Sequence, residues 1–146
     1  MPILNNIEWD AFDRKRAHYL FTYPEKQKIL INQLKQWLAQ NQFDGINIDF
    51  ENLTEDDLNL LSGFLKRFST VLHAAGIEVS VDVEAGAAAK WKEIAQQSDF
   101  IMAYDEHYTS EAGPIASMSW YTGILKKAIV LAPPGQDRYR NRELRL

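Results

Sequence analysis

The stretch Phe43-Asp44-Gly45-Ile46-Asn47-Ile48-Asp49-Phe50-Glu51 places Asn47, Asp49 and Glu51 at alternate positions among Ile46, Ile48 and Phe50. A period of two predicts a β-strand with one polar and one apolar face. Residues two apart on one face lie about 6.5–7 Å apart at the backbone. Asp49 and Glu51 can therefore address neighbouring atoms of a single bound ligand. Two close carboxylates also oppose each other's ionisation, which favours one protonated carboxyl near neutrality, the state a general acid needs. Ile77, Val79, Val81 and Val83 predict the next strand, and Ser80, Asp82 and Glu84 alternate with them as a second polar face. Asp82 and Glu84 are candidates to line a cleft, although polar filling between strands explains them equally well.

The elements that would carry these residues are legible in outline. Ile3-Leu4-Asn5-Asn6-Ile7 reads as a short strand, and Glu8 to Phe21 as an aromatic and charged loop holding a helical turn. A capping-box spacing from Thr22 to Glu25, with Pro24 in the first turn, predicts a helix to Asn41 with Leu30, Leu34, Trp37 and Leu38 on one stripe. Thr54 with Asp57 predicts a second capped helix, striped by Leu58, Leu61, Phe64, Leu65, Phe68 and Leu72 and ended by Gly76. A shorter helix over Ala87 to Ala95, a strand over Phe100 to Tyr104, a helix from Ile115 to Lys127 and a short run Ala128 to Leu131 follow. Strand and helix units that alternate in this way imply parallel strands joined by crossovers, an α/β fold. The acidic faces favour a barrel, with functional groups at the strand C-terminal ends, over a doubly wound sheet buried on both faces.

Composition narrows the function classes. The 146 residues are 46% hydrophobic and 25% charged, as in one globular domain. The net charge is -4, and basic residues cluster only near the C-terminus, so nucleic acid is not an expected partner. There is no cysteine, hence neither disulfides nor thiolate metal sites. His18, His73 and His107 fall in separate contexts, so no metal and no cofactor is expected. No apolar run approaches membrane-spanning length, and Met1-Pro2-Ile3-Leu4 does not read as an export signal. Trp37 and Trp91 fit helix stripes facing a core. Trp9 and Trp120 fall in strand-following segments where an aromatic could form a sugar platform.

The stretch ending in Glu51 resembles the Asp-x-x-Asp-x-Asp-x-Glu signature of glycoside hydrolase family 18, including the Gly after the first Asp and the aromatic before Glu. Ile101-Met102-Ala103-Tyr104-Asp105 is similar to the family's Met-x-Tyr-Asp strand end, and it comes in the right order. Tyr23-Pro24-Glu25, Asp105-Glu106-His107 and Gly113-Pro114-Ile115-Ala116-Ser117 with Trp120 resemble the branch of spore-cortex and cell-wall N-acetylglucosaminidases. Related barrels also occur fused to polysaccharide deacetylase domains. One position departs from the pattern: the second Asp of the signature is Asn47, which offers hydrogen bonds but cannot share a proton with the next Asp.

The resemblance implies a partial (β/α)8 barrel with about five parallel strands, where a whole barrel takes about 250 residues. It covers residues 1–131, and the Arg-rich 132–146 falls outside it. The chain is therefore expected to be truncated at both ends, inactive or nearly so alone, and prone to self-association through open barrel edges. The implied activity is hydrolysis of β-1,4 bonds in N-acetylglucosamine-containing glycans, chitin or peptidoglycan, by the substrate-assisted retaining route. Glu51 would protonate the leaving oxygen and then activate water. Asp49 would hold the acetamido N–H and steady the cyclic cation, and Tyr104 would hydrogen-bond the acetamido oxygen. Asp105 would orient the sugar, Asp44 and Asn47 would support the acidic cluster, and Asp82, Glu84 and His107 are further candidates around the substrate. An extracytoplasmic or cell-envelope location is implied in the same way. Two other readings stay open: a lectin-like module that binds such glycans without cleaving them, and a metal-dependent phosphoesterase using the acidic strand ends.

Overall fold

A computed structural model of the chain describes residues 1–84, 90–104 and 118–131. Four strands form one parallel sheet in the order β1 (Ile3–Asn5), β4 (Gly45–Asp49), β5 (Glu78–Glu84), β6 (Phe100–Tyr104). Between β1 and β4 lie a small antiparallel hairpin, β2 (Ile7–Glu8) with β3 (Ala11–Phe12), and two helices, α1 (Arg14–Thr22) and α2 (Pro24–Gln40). Helix α3 (Glu55–His73) joins β4 to β5, α4 (Trp91–Ala95) precedes β6, and α5 (Met118–Leu131) follows it. The α/β class and the parallel crossovers expected from the sequence are present.

Register explains the division of the two sheet faces. Asn47 aligns with Ile3 on one side and Ser80 on the other, while Ile48 aligns with Leu4 and Val81. Ile46, Ile48, Val79, Val81 and Val83 thus share one face, and all are buried against Leu61, Phe64, Leu65, Phe68 and Leu72 of α3 and Ala17 and Phe21 of α1. Each large apolar side chain removed from water in this way contributes about 1.5–3 kcal/mol. Asn47, Asp49, Ser80, Asp82 and Glu84 occupy the other face, as their alternation requires.

Helix α3 follows its sequence pattern closely. Thr54 Oγ1 accepts the Asp57 N–H, and Asp57 Oδ2 accepts the Thr54 N–H, a reciprocal capping box. After the helix, Gly76 adopts φ +75°, a left-handed conformation that glycine enters without steric cost. Asp57 is itself fully buried and also receives hydrogen bonds from Arg14 Nε at 2.7 Å and His18 Nδ1 at 2.7 Å, which fastens α1 to the start of α3.

Several expectations are corrected. The segment 8–21 is not a loop, because it holds the end of β2, all of β3 and nearly all of α1. Thr22 does not cap α2: it ends α1, its hydroxyl donates to the His18 carbonyl, and Tyr23 stands at the N-cap with no side-chain bond. Pro24 does occupy the first turn of α2, but the buried stripe is Gln27, Ile31 and Leu38, with Leu30 and Leu34 only partly covered. Trp37 is 44% exposed and packs on Phe43 instead of entering the core, whereas Trp91 is buried. Ala128 to Leu131 continues α5 and forms no strand, so the parallel sheet has four strands among the described residues where about five were expected. A short apolar run has no periodicity of its own that could separate the two outcomes. Trp120 lies within α5, partly buried against the core, which does not suit an open platform. Trp9 is the more exposed of the two, at 92%, in the turn of the β2–β3 hairpin.

Candidate functional site

The C-terminal ends of the four parallel strands carry the candidate residues. Asp49 is the last residue of β4, and Glu51 stands two residues beyond it, off the strand ladder into which its alternation had placed it. Phe50 between them turns to the apolar side. Its ring meets Phe21 edge-on at 5.0 Å between centroids and Phe64 at 6.2 Å. That anchor holds Phe50 on the core side and leaves Asp49, its neighbour at the end of the strand, on the opposite face, which gives the aromatic before Glu51 a physical reason. The glycine that opens the strand has one as well: a Cβ at Gly45 would stand 3.1 Å from the Glu78 carbonyl oxygen and 3.2 Å from Met1 Sδ.

Beneath the strand ends runs a continuous polar network. Ser80 Oγ donates to Asn47 Oδ1 at 2.7 Å, and Asn47 Nδ2 donates to Asp82 Oδ2 at 3.0 Å. Asn47 and Ser80 are both 2% exposed, so this chain of bonds replaces water for both groups. The amide that departs from the family pattern is thus fully engaged, with its donor turned to Asp82. Among the described residues, Asp82 Oδ1 is buried and has no hydrogen-bond partner. Burial pushes the Asp82 carboxyl up; the Asn47 bond opposes this and the negative charge of Asp49 adds to it, and the net direction is upward. Burial likewise raises Asp49. Two carboxyls of adjacent strands therefore hold protons more tightly than ordinary aspartates do.

The other candidates divide. Glu84 is exposed at the end of β5, where its backbone aligns with Tyr104 at the end of β6. The alignment brings the Tyr104 backbone to the same edge as Glu84 and Asp82; its side chain lies outside the described residues, as do Asp105 and His107. Asp44 precedes β4 at the end opposite Asp49; it is exposed, and its carbonyl accepts the Glu78 N–H at 2.8 Å. The structure does not bring it to the cluster.

Two residues without a predicted role belong to the site. Ser80 had been read only as part of a polar face, and here it fixes the orientation of Asn47. Asn6 is 2% exposed and pairs with the backbone of Glu51: its Oδ1 accepts the Glu51 N–H at 3.0 Å, and its Nδ2 donates to the Glu51 carbonyl at 3.1 Å. A polar residue in an otherwise strand-like run was the available signal. No group of three or more His, Asp or Glu suited to a metal ion occurs among the described residues. No helix there is long and apolar enough to cross a membrane.

No family model matches the chain. A Bacillus subtilis (strain 168) protein named as a sporulation-specific glycosylase, YdhD, is 26% identical over 151 residues, covering 91% of this chain and 34% of that protein. Its crystal structure superposes with a TM-score of 0.81 at 20% identity, over 90% of this chain and 47% of the other. The spore cortex-lytic enzyme SleL of Bacillus megaterium QM B1551 gives a TM-score of 0.82 at 20% identity, over 90% of this chain and 33% of that one. A class V chitinase from Pseudomonas fluorescens Pf-5 gives 0.77 at 19% identity, over 90% and 46%. The chain has a chitinase-type α/β fold and forms part of such a barrel, and it spans 34% of the curated relative's length.

Proposed function

We propose that the chain is the segment of a family 18-type glycoside hydrolase that supplies the proton donor, acting on β-1,4-linked glycans that contain N-acetylglucosamine. The observation that carries this reading is the end of β4. Asp49 closes the strand there on its polar face and Glu51 follows two residues later with its backbone held by Asn6, beside a buried network in which every oxygen and nitrogen of the Asn47 side chain is engaged. The glycosylase, cortex-lytic and chitinase names of the similar proteins support the same chemistry.

In this reading the acetamido oxygen of the sugar attacks its own anomeric carbon while Glu51 protonates the departing oxygen. The conjugate base of Glu51 then takes a proton from water, which opens the cyclic intermediate with retention. Asp49 accepts the acetamido N–H and steadies the positive charge that develops on the ring. Asn47 cannot share a proton with Asp49 as an Asp there could. The neighbouring carboxyl Asp82, whose affinity for a proton is raised by burial and by the charge of Asp49, is the group placed to hold one instead.

The test is turnover of a fluorogenic N-acetylglucosamine oligomer by the full-length protein. Glu51→Gln is expected to lower kcat by about 10²–10⁴, the usual contribution of a positioned general acid. A small loss would remove Glu51 from that role, and oligomer binding without turnover by the unsubstituted protein would overturn the enzymatic reading. Asp49→Asn separates the mechanisms. It should weaken binding of a thiazoline mimic of the cyclic intermediate, because a neutral amide pairs poorly with a positive ring. Equal affinity would argue against the sugar's own acetamido group as the nucleophile.

A further inference from the structure

The pairing of β1 with β4 ends at Asn5 and Asp49. Glu51 lies beyond that last pair, where the strand ladder no longer holds the backbone. Peptide groups in such a position still need partners. The Asn6 side chain provides them, accepting from the Glu51 N–H at 3.0 Å and donating to the Glu51 carbonyl at 3.1 Å across 45 residues of sequence. A primary amide carries the same donor and acceptor as a peptide unit. Asn6 thus adds one more rung to the ladder after its own backbone has turned away, where Asp13 N–H donates to the Asn6 carbonyl at 2.7 Å. On the far side of Glu51, Asn52 adopts φ +57°, a left-handed conformation that asparagine tolerates better than most residues, and redirects the chain toward α3.

We propose that Asn6 is the positioning residue of Glu51, setting where the carboxyl stands relative to the scissile bond; this rests on the reading of Glu51 as proton donor. The clamp acts on the backbone of the one residue that must reach the leaving oxygen, and it is almost fully sealed from solvent. Alanine offers neither contact. Aspartate keeps the acceptor for the Glu51 N–H, but when ionised it turns a negative oxygen toward the Glu51 carbonyl. Protonated aspartic acid restores a donor as well.

These differences give the experiment its readout. In the full-length protein, with the same fluorogenic oligomer and at temperatures well below unfolding, Asn6→Ala should lower kcat by about tenfold to a hundredfold, the penalty for a displacement of about 1 Å. KM should stay unchanged. Asn6→Asp should lose less than Asn6→Ala, and its kcat relative to wild type should rise as the pH falls and the new carboxyl takes up a proton. It also carries the test alone if Asn6→Ala does not fold. Wild-type kcat in Asn6→Asp at every pH would overturn the assignment, as would a loss confined to KM or to the folded fraction. Loss of activity in Glu51→Gln with full activity in both Asn6 variants would sink only the role of Asn6. Activity that survives Glu51→Gln would instead sink the reading beneath it.

Discussion

At the start of α3, Asp57 is fully buried and receives hydrogen bonds from Arg14, His18 and Thr54, whereas on β5 Asp82 is partly buried and one of its oxygens has no partner among the described residues. Burial alone would raise both carboxyls. Around Asp57 the bonds from Arg14, Thr54 and His18 outweigh burial and hold the group well below the usual carboxylate range. Around Asp82 a single amide bond does not, and the charge of Asp49 pushes the same way as burial. A carboxylate whose oxygens are saturated by donors serves as a joint between elements. One left short of donors costs stability and gains the capacity to hold a proton, the pattern expected where chemistry is done.

The largest effect should come from removing the saturated acid. Asp57→Ala deletes the side-chain half of the capping box, the acceptor of the Thr54 N–H, a hydrogen bond worth about 1 kcal/mol, together with charge-assisted bonds worth about 1.5–3 kcal/mol. Arg14 and His18 are 48% and 51% exposed, so solvent screens their share and the low end applies. A loss of roughly 2–3 kcal/mol in denaturant unfolding is expected. The sign with pH follows from the depressed carboxyl: its contribution is complete above the ordinary value of about 3.9 and disappears as the pH falls through the folded value. The gap between wild type and Asp57→Ala should therefore narrow in acid. A gap that stays constant would show that the ionised carboxylate is not the source of the stabilisation.

Asp82→Asn should act in the opposite direction and by less. A raised carboxyl contributes stability that is complete below the ordinary value of about 3.9 and is lost as the pH rises through its folded value. The amide should therefore raise the melting temperature at neutral pH and leave it unchanged near pH 3. The same substitution removes the carboxyl that would hold a proton beside Asp49, so the pH dependence of the rate should change. A destabilised Asp82→Asn at neutral pH would erase the contrast between the two acids and recast Asp82 as structural. A rate profile that does not move would detach it from Asp49.

The features readable from the sequence were those with a short repeat. Ile46, Ile48 and Phe50 against Asn47 and Asp49 gave the strand and its polar face, because alternation is a property of neighbouring residues. The Thr54–Asp57 box and the apolar stripe of α3 were equally local, closed within one turn or repeated at helical spacing. Fold class followed from the order of such units. Thr22 with Glu25 shows where a local pattern misleads: α1 already claims Thr22, whose hydroxyl is spent on the His18 carbonyl. What tertiary structure alone decided are the pairings between distant residues: Asn6 with Glu51, Arg14 with Asp57, Ser80 with Asn47, and Asn47 with Asp82. They carry no period, since their spacing is set by the lengths of the intervening helices. The sequence could thus single out Glu51 and Asp49 as the candidate pair. That β4 stops before Glu51, so that its backbone is held by the amide of Asn6 just after β1, follows only from how far each strand runs before its chain turns away.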